Sequence, residues 1–161
     1  MTELTRIDYE DTFLVHCPPD VSSTEVLLAF FSSTPKIVRW LLTLRNALVS
    51  AFGLKSTARR GRLERSMLQS CSRIGLFEVG PILPHSAVIG ADDAHLNFRV
   101  LLSNEDASLR CKTQVEFHNT LGRVYFFFVK PLHRWIVPLV LRSTVRALEH
   151  RLPSAVLPPV T

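Results

Sequence analysis

The run Asp93-Ala-His-Leu-Asn-Phe-Arg-Val-Leu-Leu102, answered by Leu109-Arg-Cys-Lys-Thr-Gln-Val-Glu-Phe-His118, decides how this chain folds. Side chains of a strand alternate between its two faces. In the first segment Leu96, Phe98, Val100 and Leu102 therefore fall on one side, and Asp93, His95, Asn97 and Arg99 on the other. The second segment repeats the division, with Cys111, Thr113, Val115 and Phe117 against Lys112, Gln114, Glu116 and His118. Asn104, Glu105, Asp106 and Ala107 supply turn chemistry between them, so the pair reads as a β-hairpin with one apolar and one polar face. A four-residue loop sets Asp93 opposite His118, His95 opposite Glu116, Asn97 opposite Gln114 and Arg99 opposite Lys112. A further strand is expected over Arg123 to Lys130, and continuing the register through it brings Tyr125 near Glu116 and Phe127 near Gln114, which places aromatics on the polar face.

Working outward, Thr12 to His16 is a short apolar run closed by Cys17-Pro18-Pro19-Asp20, the pattern of an opening strand. Ser22 stands three residues before Glu25, the spacing at which a hydroxyl and a carboxylate cap the start of a helix, here expected over Ser23 to Ser32. Thr34-Pro35 reads as a second helix start, with Ile37, Trp40, Leu41, Leu44, Leu48 and Phe52 on one face and Gly53 as its stop. Strands are expected at Leu76 to Val79 and Ser86 to Ile89. A long helix is expected from Pro131, carrying Leu132, Trp135, Ile136, Leu139, Val140, Val145 and Leu148 and bent at Pro138. This order predicts an α+β fold: a curved antiparallel β-sheet wrapped around a long C-terminal helix, with two helices after the first strand. Residues 7–152 form one domain on this reading, and residues 153–161 a proline-rich tail.

The chain has 161 residues, of which 47% are hydrophobic and 20% charged, the balance of an ordinary globular domain rather than a disordered one. Its formal net charge of +5 is concentrated between Lys55 and Arg73, where no aromatic residue accompanies the arginines. Nucleic-acid surfaces usually interleave cations with stacking rings, so no specific nucleic-acid partner is expected. Three cysteines without a C-x-x-C spacing suit reduced, buried thiols. Acidic residues near the N-terminus give no secretory or presequence pattern, and cytoplasmic localisation is expected. Tyr125 to Leu141 is apolar, yet Lys130, His133, Arg134 and two prolines interrupt it, so no transmembrane segment is expected.

The runs Gly90-Ala-Asp-Asp-Ala-His-Leu-Asn-Phe-Arg99, Phe117-His-Asn-Thr-Leu-Gly-Arg-Val-Tyr-Phe126 and Lys130-Pro-Leu-His-Arg134 resemble a bacterial family of uncharacterised proteins. Members of that family are similar to the helix-grip, START-like proteins, which include polyketide cyclases and birch-pollen-like allergens. The resemblance implies a cavity between sheet and C-terminal helix that takes a small apolar or amphipathic molecule. Asn97 stands where an aspartate is common in the family. No glycine-rich dinucleotide fingerprint is present, and no cofactor is implied.

Two classes of function follow. A binding module would use Asp93, His95, Asn97, Arg99, Glu116, His118 and Tyr125 as polar candidates, and Trp40, Phe98, Phe117, Phe126 and Trp135 as apolar ones. A cyclase, isomerase or hydrolase would use His95 or His118 as general base beside a carboxylate. The mixed polar and aromatic face also suits a contact between two copies of the chain or a structural role. The spacing of Asp93, His95 and His118 is only the strand period, so no metal site is expected.

Overall fold

A computed structural model describes residues 3–33, 73–74 and 77–151. The second expected helix with Trp40, the basic stretch from Lys55 to Ser72 and the tail after Arg151 lie outside the described residues. The fold is α+β: an open antiparallel sheet of six strands covered on one face by helices. In chain order the elements are β1 (Tyr9–His16), α1 (Ser23–Ser32), β2 (Arg73–Ile74), β3 (Phe77–Leu83), β4 (Ser86–Asp92), β5 (Leu96–Glu105), β6 (Ser108–Phe117) and α2 (Thr120–Arg151). The sheet order is β1-β6-β5-β4-β3-β2, so the first strand returns to an edge beside the last.

α1 occupies its expected span. Ser22 accepts from the Glu25 amide while the Glu25 carboxylate accepts from the Ser22 amide at 3.0 Å. Val26, Leu27 and Ala29 are its buried stripe. β3 carries a register shift between Val79 and Ile82, at Gly80-Pro81, where proline's missing amide removes no ladder bond.

The central hairpin has the expected faces and a different register. Glu105 pairs with Ser108, and only Asp106 and Ala107 form the turn, both at positive φ (51° and 54°). Such a two-residue turn matches the right-handed twist of the strands, which a four-residue loop need not do. The pairing therefore slips by two residues from the expected one. Asn97 faces Glu116, Arg99 faces Gln114 and Leu101 faces Lys112. The His95–Glu116 and Asp93–His118 pairings do not form; His95 comes opposite His118, whose amide donates to the His95 carbonyl at 3.0 Å. Because the slip is an even number, no side chain changes face.

The second correction concerns Arg123 to Lys130, which is helix and not strand. β6 already has β5 on one side and β1 on the other, so no edge remains for a returning strand. Asn119 instead caps a helix, its Oδ1 accepting from the Gly122 amide at 3.0 Å. α2 thus begins a full three turns before Pro131, and both Pro131 and Pro138 lie inside it. With the earlier start, Phe126, Val129, His133, Val137, Val140, Thr144 and Leu148 recur at steps of three and four and form one stripe. That stripe meets the inner sheet face. Leu96, Val115, Tyr125 and Phe126 make one buried cluster, while Val137, Leu141, Val145 and Leu148 join Val100, Leu102, Leu109 and Cys111 in the main core.

Candidate functional site

The register places Tyr9, Asp11, Phe13 and Val15 of β1 on the inner face, paired with Val115, Thr113, Cys111 and Leu109 of β6. A carboxylate in that stripe needs compensation when a helix covers it. The compensation comes from β1 itself and from α2. Tyr9 Oη donates to Asp11 Oδ2 at 2.6 Å, and His133 Nε2 lies 3.3 Å from the Asp11 carboxylate. Both side chains of the Asp11–His133 pair are largely shielded, at 14% and 19% exposure. Burial alone would raise the Asp11 pKa, but the bonds from His133 and Tyr9 outweigh it and hold the group below its usual value. Tyr9 moves the other way, pushed up to about 12 by burial and by its bond to the Asp11 anion.

Around this pair the seam is aromatic and apolar. The Tyr9 ring sits 4.7 Å from that of Phe126, Phe117 is 5.3 Å from Phe126, and Lys130 Nζ is 4.9 Å from the Tyr9 ring centre. Phe13 meets the His133 ring edge-on. Thr113 Oγ1 is shut off from water and makes no regular hydrogen bond, although the hydroxyl lies near enough to Asp11 to help lower its pKa. Cys111, one strand step away, is deeply buried and pushed up to about 12 by desolvation and the Asp11 charge, so it remains an unreactive thiol.

An open cleft of about 360 Å³ lies on the same β1–α2 seam beyond the pair, lined by Val15, His16, Arg142, Val145, Arg146 and Glu149. A second cleft, about 350 Å³, lies at the hairpin end between Cys17-Pro18-Pro19-Asp20 and Asn104 to Ser108. Among the described residues no group of three His, Cys, Asp or Glu side chains is arranged to hold a metal ion.

The polar candidates from the sequence do not converge. Arg99 is buried on the outer sheet face, where its guanidinium donates to the carbonyls of Phe98 (2.7 Å) and Ala91 (3.2 Å) and pairs with Asp92. Glu116 is covered by the N-terminal segment: Thr5 donates to it through its hydroxyl and its amide, and these bonds lower the Glu116 pKa. Asn97 accepts from the Asp93 amide at 3.2 Å, which ties down the loop before β5. His95 Nδ1 lies 3.0 Å from Asn119 Nδ2 and 3.3 Å from its Oδ1, so it anchors the helix cap, while Asp93 and His118 are exposed. Tyr125 belongs to the inner layer.

The apolar candidates divide differently. Phe98, Phe117 and Phe126 do meet at the inner layer, whereas Trp135 projects outward with 78% of its surface exposed. Trp135 stands two residues from both His133 and Val137 of the buried stripe, about 200° around the helix and so on its opposite side. Trp40 lies outside the described residues.

Tyr9 and Asp11 are not among the candidates that the sequence offers, because its apolar run starts at Thr12 whereas β1 starts at Tyr9. His133 is more legible than these two, since it falls within Lys130-Pro-Leu-His-Arg134, one of the runs on which the resemblance rests.

The layered sheet and helix with this seam define an α+β domain of a single sheet face and one dominant helix. The family model described as protein of unknown function (DUF2867) matches residues 4–140, and the chain belongs to that family. No curated protein and no solved structure matches it.

Proposed function

We propose that the protein is a helix-grip-type binding module that takes a small amphipathic molecule along the β1–α2 seam. The sheet order with β1 returned beside β6, and the terminal helix laid across the inner face, support the helix-grip reading. The observation that carries the function is the Tyr9–Asp11–His133 cluster, with the shielded Thr113 hydroxyl beside it. A layer that served only to hold sheet and helix together would carry apolar groups there, since a shielded carboxylate must be compensated by polar partners. Polar groups at a few points in an otherwise aromatic seam are what orient a bound molecule in a binding site. An open cleft lies on the same seam four residues further along β1 from Asp11, between Val15 and His16 of β1 and Arg142, Val145, Arg146 and Glu149 of α2.

Native mass spectrometry of the protein purified without denaturation tests this reading. The expected result is a small-molecule adduct, lost or weakened in Asp11→Asn and His133→Ala. Adduct-free spectra, together with equal uptake of the amphipathic dye anilinonaphthalene sulfonate by all three proteins, would refute it.

The general-base reading shifts with the register. His95 contacts an amide and exposed His118 meets Glu116 only through its charge, so among the described residues the histidine hydrogen-bonded to a carboxylate is His133. An acid–base role at the seam would therefore belong to His133, with Asp11 holding the ring.

A further inference from the structure

We propose that the outer face of α2 lies on an anionic lipid surface. Val124, Phe128, Pro131, Trp135 and Leu139 follow one another at steps of three and four, so they share the face turned away from the sheet. Phe127 stands beside them. Phe127 and Trp135 are 72% and 78% exposed, far more than a folded domain normally leaves of such side chains. Arg123, Lys130 and Arg134, all exposed, run along one flank at steps of seven and four, Lys130 reaching toward the Tyr9 ring, while exposed Arg142 and Arg146 lie further along the helix beside the β1–α2 cleft. No aspartate or glutamate occurs between Glu116 and Glu149.

This combination selects the occupant. Aromatic rings with interleaved cations and no anions suit the headgroup level of a negatively charged bilayer, where the rings settle into the interface and the cations meet phosphate. A second copy docked antiparallel on the same face would set one cationic row against another. α2 is long and apolar enough to cross a bilayer by length and composition. Its other side, from Phe126 to Leu148, is packed on the sheet, so the folded domain presents the helix lengthwise and not as a span.

Vesicle co-sedimentation of the full chain tests the proposal, with vesicles of phosphatidylcholine alone and of phosphatidylcholine with roughly one third phosphatidylglycerol. The proposal expects binding at least about tenfold stronger to the anionic vesicles, weakened by added salt. In a Trp40→Phe background the Trp135 emission should shift to the blue on binding. The double variants Phe127→Ser/Phe128→Ser and Arg123→Gln/Arg134→Gln should each lower binding about tenfold while retaining the native circular dichroism spectrum. Equal binding to neutral and anionic vesicles would overturn the proposal, and so would undiminished binding by both variants. A blue shift that grows with protein concentration in the absence of lipid would assign the face to self-association and overturn it as well.

Discussion

Replacing Gly122 with alanine separates two opposite expectations. By helix propensity alone the change is favourable, by up to about 1 kcal/mol in a helix interior. The structure predicts the reverse. A Cβ at Gly122 would stand 2.1 Å from the His95 carbonyl oxygen and 3.0 Å from its carbon, both backbone atoms that no rotamer change can move aside. Ordinary carbon–oxygen contacts are about 3.3–3.6 Å, so the first turn of α2 and the loop before β5 would have to separate by about 1 Å. Overpacking of this kind costs about 1–3 kcal/mol. The separation also strains the bond from the His118 amide to that same carbonyl, worth about 1 kcal/mol. After subtracting the propensity gain, the net loss is about 2 kcal/mol, which for a domain of this size lowers Tm by about 4–8 °C. Thermal and urea melts followed by circular dichroism measure it, with exposed Val124→Ala as a helix control expected to stay within about 0.5 kcal/mol. A Gly122→Ala protein as stable as the parent, or more so, would refute the claim that α2 docks directly on the His95 loop.

Other substitutions probe the turn, the seam and the core. Ala107→Gly relieves a residue held at φ 54° and creates an Asp-Gly pair suited to this turn, so it should raise stability by about 0.5–1 kcal/mol in the same melts. Asp11 has its folded pKa depressed, so its contribution is present above the unfolded value and is lost as pH falls through the folded one. Urea midpoints of the parent should drop over that acid range and those of Asp11→Asn should drop less there, while at neutral pH the unfolding free energy of the variant should be about 1–3 kcal/mol lower. Cys17 and Cys111, both buried with raised thiol pKa values, should resist alkylation at neutral pH until denaturant is added, as peptide mapping by mass spectrometry would reveal.

Alternation made the two hairpin faces legible because a strand has a strict period of two, and the capping pair Ser22–Glu25 located α1 for an equally local reason. The register was less accessible. Asn104 to Ala107 are all competent turn residues, and only the left-handed geometry of Asp106 and Ala107 selects the two-residue loop. Arg123 to Lys130 misled because Val-Tyr-Phe-Phe-Phe-Val is the composition of a strand, while its conformation is set by a distant event, the return of β1 to the edge of β6. Composition cannot show that an edge is already taken. The candidate site inherits this difficulty, since Tyr9 and Asp11 come from that returning strand and His133 from the helix whose start was placed too late.

The placement of β1 also has a consequence for how the chain acquires its fold during synthesis. Asp8 accepts from the Phe117 amide, a partner 109 residues further along, so the earliest strand must wait on the ribosome until the last one emerges. Val137, Leu141, Val145 and Leu148 leave the exit tunnel later still, and the main core cannot close without them. The inner sheet face thus stays uncovered until α2 has been made, and a stop codon within α2 would remove the residues that close the core.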